Sequence, residues 1–149
     1  MSGRLIVIDG LDGRGKATQS QILCDYLNDK GIKAKKISFP NYGSKGCTLV
    51  EMYLNGEISE NAEDINGYAA STFYAADRYT SFIKDWKKDY DEGTVIVLDR
   101  YTTSNAVHQM SKLAREDWDS FLGWLFDFEY EKLGIPKPFE VIYLDMKPE

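Results

Sequence analysis

The stretch IDGLDGRGKATQS, residues 8–20, decides the fold. It follows an apolar run, LIVID (5–9), and precedes a helical pattern in which Ile22, Leu23, Tyr26 and Leu27 recur on one face, with Gly31 as a stop just beyond. Gly10, Gly15 and Lys16 satisfy the G-x-x-x-x-G-K spacing of a phosphate-binding loop, and Gly13 is an extra glycine within it. In such a loop the backbone N–H groups and the N-terminus of the following helix surround an anion, while the lysine reaches the outer phosphates. A glycine turn capped by a solvated lysine is the plain structural alternative, and the strand before and helix after weigh against it. Ala17 stands where a Ser or Thr hydroxyl ordinarily meets Mg²⁺. Thr18 does not replace it, because one residue along a helix turns a side chain by about 100°. Magnesium keeps several waters in its octahedral shell, so the expectation is weaker metal positioning rather than a dead site.

Two further apolar runs end in aspartate like the first: VIVLD at Asp99 and VIYLD at Asp145. All three are rich in β-branched residues and do not alternate, which predicts parallel strands buried on both faces. A weaker strand, KAKKIS (33–38), stops at Phe39 and Pro40 and is placed near an edge. Helices are predicted over Cys47 to Leu54, Ala62 to Tyr90 and Arg115 to Lys132. The sum is an α/β protein, an open parallel sheet with helices on both faces, whose ligand loops gather at the carboxyl ends of the strands. Trp118, Phe121, Trp124, Leu125 and Phe128 give the last helix an apolar surface that must pack on the sheet or on a second subunit.

At 149 residues the chain is read as a single domain, 1–149. With 18 basic and 24 acidic residues, net −6, it lacks the composition of a nucleic-acid or anionic-lipid binder, while a local cationic pocket for a small anion is compatible with it. Cys24 and Cys47 have neither metal-ligand nor disulfide spacing, and the sequence shows no signal peptide or membrane span, so a cytoplasmic protein is expected.

The blocks SFPNYG (38–43), FYAADRY (73–79), LDRYTTSNAVHQ (98–109) and VIYLDMKPE (141–149), taken with GLDGRGKATQ, resemble the thymidylate kinase family in order along essentially the whole chain. The resemblance implies a P-loop nucleoside monophosphate kinase that moves the γ-phosphoryl group of ATP, with Mg²⁺, onto dTMP to give dTDP and ADP, and it implies a homodimer. In that likeness Arg100 bridges the acceptor and the transferred phosphoryl group, a task suited to a planar guanidinium. Asp99 holds Mg²⁺ through water, Asp12 orients Arg100 or the acceptor, and Arg14 adds charge inside the loop. Tyr74 stacks on thymine, Arg78 donates to its O4, and Asn105 meets the N3 edge. Phe39 and Tyr42 belong to the segment that closes on sugar and phosphate, and Gln109 supports the pocket from behind. Each has a bland counterpart: a salt bridge for Asp99 and Arg100, a helix cap for Asp12, a solvent-facing side chain for Arg14 and a core aromatic for Tyr74.

The chain departs from the family at Asn41, where an arginine is common, and at His108, where many bacterial members carry a tyrosine against the sugar's C2′. It also stops at KPE, where the family continues into an arginine-rich lid, so poor turnover by these residues alone is expected. Two rivals remain: a kinase for another deoxynucleotide or a deoxynucleoside, motivated by Asn41 and His108, and a catalytically silent nucleotide-binding module, motivated by Ala17. A GTPase switch is disfavoured, because there is no Asn-Lys-x-Asp motif.

Overall fold

The computed structural model describes residues 2–10 and 15–145. Asp12, Gly13 and Arg14 of the loop lie outside the described residues. In chain order the elements are β1 (Leu5–Gly10), α1 (Lys16–Asp29), β2 (Ala34–Ser38), α2 (Thr48–Leu54), α3 (Gly67–Ser81), α4 (Lys87–Asp91), β3 (Val95–Asp99), α5 (Thr102–Met110), α6 (Trp118–Phe126) and β4 (Glu140–Leu144). They fall into two compact units, one of Met1–Phe39, Ile83–Tyr101 and Pro136–Glu149, the other of Pro40–Phe82 and Thr102–Ile135.

The first unit holds the sheet. Its strand order is β2-β3-β1-β4 and every pairing is parallel. The chain leaves β1 toward β2 and leaves β3 toward β4, in opposite directions, so a topological switch point lies between the adjacent strands β1 and β3. Ile8 pairs with Asp99, which brings the carboxyl ends of these two strands side by side. Ile8, Cys24 and Val97 form the core here, with Leu23 and Leu27 of α1 packed against them. Consecutive residues of β2 point to opposite faces: Lys35 reaches Asp89 of α4 at 3.0 Å and Lys36 reaches the Ala17 carbonyl of α1 at 3.1 Å. Helices therefore flank both faces, as the strand pattern predicts.

β2 is at an edge, as expected, and β4 occupies the other edge. The third apolar run is therefore not buried on both faces: Val141, Ile142 and Tyr143 are 39%, 41% and 57% exposed. An apolar run reports what a strand can bury, whereas its place in the sheet decides what it does bury.

The second unit is helical. The predicted helix from Ala62 to Tyr90 is broken twice. Asn61 caps a short 3₁₀ turn (Ala62–Asp64) by accepting from the Glu63 N–H, and Asn66 caps α3 by accepting from the Ala69 N–H at 2.9 Å, with Ile65 extended between them. After α3 the chain widens into a π turn, Phe82–Trp86, before α4. The predicted helix 115–132 likewise resolves into a 3₁₀ turn, α6 and a second π turn, Asp127–Lys132. The helix α5 has no counterpart among the predicted helices. Within its own unit α6 packs with Phe121 and Leu125 fully buried against Ala106 of α5. The Phe121 ring also meets the edge of Tyr68 of α3, centroids 5.2 Å apart.

Phe121→Ala removes the ring at the centre of this second core and should cost about 3–5 kcal/mol, read as a lower urea midpoint at an unchanged m-value.

Candidate active site

On the sheet unit, Gly15 caps α1 in the left-handed region, φ 79°, a conformation that a residue without Cβ adopts without strain. Gly10 has φ 147°, and a Cβ there would sit 3.0 Å from the Leu144 carbonyl oxygen of the neighbouring strand. Among the described residues the first turn of α1 contains no acidic side chain and no side chain caps its end, so the helix adds the positive pole of its dipole there. Lys16 is 5% exposed. Its charge acts on Asp99, as does that of Lys36, whose Nζ lies on the same first turn of α1.

Asp9, buried, accepts from the Gly10 N–H at 2.8 Å. Asp99 ends β3, and its Oδ1 is buried with no hydrogen-bond partner. Burial pushes the Asp99 carboxyl above the usual carboxylate range; Lys36 and Lys16 pull it back in part, and Asp9 adds to the rise. Among the described residues no group of three or more His, Cys, Asp and Glu could hold a metal ion. Arg100 follows with φ 71°, the one non-glycine among the described residues at positive φ, and its N–H donates to the Ile8 carbonyl at 3.1 Å. Such a conformation is stored strain of the kind that collects at functional positions. Phe39 is buried, its N–H bonded to the Asp99 carbonyl and its ring tilted on Tyr101. The structure thus gathers Gly10, Gly15, Lys16, Phe39, Asp99 and Arg100 in the sheet unit. Ala17 and Thr18 are exposed in the first turn of α1.

In the helical unit, Ser71, Tyr74 and Arg78 share one face of α3. Asn105 on α5 is 4% exposed; its Nδ2 donates to Ser71 Oγ at 3.1 Å, and its Oδ1 is buried without a partner. Gln109, one turn on, is buried and leaves Oε1 without a partner, and Gly67 of α3 packs close against it. Tyr74 meets Tyr53 edge-on, and burial pushes its phenol up to about 12, so it stays neutral. Arg78 is 2% exposed, with Nε and Nη2 donating to the two carboxylate oxygens of Glu129 at 2.6 and 2.7 Å. Tyr42 and His108 are exposed. Asn41 contributes its backbone N–H, which donates to Asp77 Oδ2 at 3.0 Å.

Sequence reading missed Ser71, Glu129 and Lys36. Lys36 had a signal, a cation in the strand leading to Phe39. Glu129 had none, because its partner lies 51 residues away.

Arg100→Gly should be about 1 kcal/mol more stable than Arg100→Ala in urea unfolding, since both lose the guanidinium and only glycine relieves the positive φ. Asp99 has a folded pKa above its unfolded one, so its contribution grows as pH falls through the folded value and is lost as pH rises through it. Wild-type stability relative to Asp99→Asn should therefore increase from about pH 7 to about pH 4, and a flat difference would contradict this account.

The family profile described as thymidylate kinase matches residues 8–149. A thymidylate kinase from Mycobacterium tuberculosis is 33% identical over 137 residues, covering 90% of this chain and 62% of that protein. One from Caenorhabditis elegans is 29% identical, covering 99% of this chain and 65% of that protein. A solved thymidylate kinase from Candida albicans superposes with a TM-score of 0.71 at 26% identity, covering 96% of this chain and 63% of the other. The chain spans between three fifths and two thirds of the length of these relatives. With the parallel sheet and the glycine-capped loop already in place, the match over residues 8–149 makes this chain a member of the thymidylate kinase family.

Proposed function

We propose that the chain serves an ATP-dependent dTMP kinase, in which the sheet unit binds the nucleotide phosphates and the helical unit binds the pyrimidine of the acceptor. The observation that carries the acceptor reading is the Asn105 carboxamide. Its Nδ2 is committed to Ser71, so its buried, unpartnered Oδ1 is an acceptor in want of a donor. An unmet buried acceptor is costly, and the N3–H of a 4-keto pyrimidine supplies the missing proton. Arg78 can only donate, which suits the neighbouring O4. Because Glu129 cancels its charge, Arg78 is assigned to a neutral base rather than to a phosphate.

On the phosphate side, the positive end of α1, Lys16 and Arg100 neutralise the charge of the phosphates, the main demand that phosphoryl transfer makes on a protein. Asp12 and Arg14 are proposed to assist as orienting acid and added cation, and Gly13 as part of the loop backbone. Tyr74 stacks on the base, Phe39 and Tyr42 flank sugar and phosphate, and Gln109 supports Asn105. His108, one turn from Asn105, is proposed to lie toward the sugar.

The residues present fit Mg²⁺. Asp99 offers a hard carboxylate oxygen that is buried and unpartnered, and Mg²⁺ characteristically takes one or two carboxylates together with substrate phosphates and water rather than a full protein cage. Bound there with ATP, the ion supplies charge neutralisation at the phosphate oxygens. Ala17 contributes no hydroxyl ligand, which places that duty on water. A cytoplasmic homodimer without a nucleic-acid or membrane partner completes the reading, in keeping with the net charge of −6. Among the described residues no helix is long and apolar enough to cross a membrane.

Thermal unfolding with dTMP, dCMP, dGMP and ribo-TMP, each with and without ATP and Mg²⁺, tests the proposal. dTMP at a hundred times its Kd should stabilise the protein by about 2.7 kcal/mol, and dCMP at the same concentration by clearly less. Stabilisation by ATP with no response to any monophosphate would favour the silent module instead. Asn105→Ala should weaken dTMP binding by about tenfold to a hundredfold in isothermal titration.

A further inference from the structure

Lys36 is a cation that the loop motif does not call for. In the register of β2 on β3 it stands opposite Val97, and in the register of β1 on β3 Ile8 stands opposite Asp99. Ile8 and Val97 pack with Cys24, Leu23 and Leu27 of α1, so Lys36 and Asp99 share with them the face of the sheet that α1 covers. Lys35, on the other face, spends its ammonium on the Asp89 carboxylate at 3.0 Å. Lys36 spends its own on a backbone carbonyl, that of Ala17 at 3.1 Å, in the first turn of α1. The same carbonyl also accepts from Ser20 Oγ at 2.9 Å, so it did not need a second donor to be satisfied.

A cation in the first turn of a helix opposes the helix dipole, so this placement is unfavourable unless anions lie near it. One such anion belongs to the protein: of the charges that act on Asp99, Lys36 is the strongest, ahead of Lys16 of the loop itself. Yet Asp99 Oδ1 is buried without a hydrogen-bond partner, so the ammonium neighbours the carboxylate and leaves that oxygen open. We propose that Lys36 is a further nucleotide-binding residue, whose ammonium supplies, beside Asp99 and the first turn of α1, part of the positive charge that magnesium otherwise brings with a nucleoside triphosphate. Lysine and metal are then alternative sources of charge for one anion, at the turn where Ala17 offers the metal no hydroxyl. The magnesium complex is less negative than the free triphosphate by the charge of the ion, so a fixed cation attracts the free form more strongly. The same cation also repels the metal ion. Both effects make loss of Lys36 fall hardest on the metal-free ligand.

This inference rests on the reading of the sheet unit as the phosphate site. Its test is isothermal titration of the whole chain with ATP in excess EDTA and with ATP in excess Mg²⁺, for wild type, Lys36→Met and Lys36→Arg, with urea unfolding of each protein alongside. Lys36→Met should weaken binding of metal-free ATP by about tenfold more than binding of the magnesium complex. Lys36→Arg keeps the charge and should hold the ratio of the two affinities within about threefold of wild type. A lysine that merely ties β2 to α1 would lower stability, or both affinities together, and leave the ratio where it was. A Lys36→Met ratio within about twofold of wild type therefore overturns the proposal, while retained binding of the magnesium complex leaves the phosphate site standing. A Lys36→Arg ratio shifted as far as that of Lys36→Met, or a wild type that binds ATP only with the metal, overturns the proposal as well. A wild type that binds neither form overturns both readings. Where Lys36→Met does not fold, Lys36→Gln decides by the same ratio, since it is polar and uncharged.

Discussion

The pairing of β1 with β3 is the constraint on which the phosphate side depends. The two strands are parallel neighbours in the middle of the sheet, with Ile8 opposite Asp99, and their connections leave in opposite directions. In open α/β sheets such a switch point is where ligands bind, and the pairing sets Asp9, Asp99 and Arg100 at the carboxyl ends of these strands without any of them having to find the others through side-chain packing. The ladder runs one bond past β3, from the Arg100 N–H to the Ile8 carbonyl. Arg100 is thereby held at the carboxyl end of β3, and its positive φ is strain stored at that point.

The two units handle buried charge in different ways. In the sheet unit the Asp99 carboxylate lies within the field of Lys36 and Lys16, and no acidic side chain occupies the first turn of α1. In the helical unit charge is neutralised on the spot. Glu129 takes Arg78, and Asp77, pushed up by burial, receives the Asn41 N–H and shares the Cys47 thiol. Burial and the adjacent Asp77 push Cys47 up to about 12, which keeps that thiol inert and makes it part of the packing rather than of the chemistry. Cations set at a helix N-terminus suit a polyanionic ligand, and a charge cancelled at short range suits a neutral ring that is read by hydrogen bonds.

What could be read in advance follows from what is local. The strand at Leu5 and the helix α1 were legible because an apolar run, the glycines at 10 and 15 and an apolar repeat lie close together, although of that repeat only Leu23 and Leu27 pack on the core while Ile22 and Tyr26 are 55% and 57% exposed. The edge position of β2 was legible from the weakness of its apolar run and the proline that follows. The exposure of β4 was not, because it depends on which strand stands beside it. The two π turns were not legible either, since a shift from i+4 to i+5 bonding leaves the apolar spacing nearly intact. Of the acceptor site, Tyr74, Arg78 and Asn105 came from a family likeness, while the residues that hold them, Ser71 and Glu129, meet their partners only through the packing of α3 with α5 and with the turn after α6.

Ala17 shows how geometry changes the weight of a motif letter. The missing hydroxyl takes away a proposed metal ligand, yet the described start of α1 keeps its form: Gly15 caps the helix, and the Gln19 N–H closes the first turn on the Gly15 carbonyl at 2.8 Å. The Ala17 carbonyl also accepts from Ser20 Oγ and from Lys36 Nζ. A cation at a helix N-terminus opposes the helix dipole and is unfavourable unless an anion joins it. Lys36 therefore raises the positive potential at the very end of α1 where the hydroxyl is lost. On the proposed reading, attraction for phosphate rests on backbone dipoles and two lysines and the metal's position on Asp99 and water, so the substitution separates two duties that a Ser or Thr at this position would have joined.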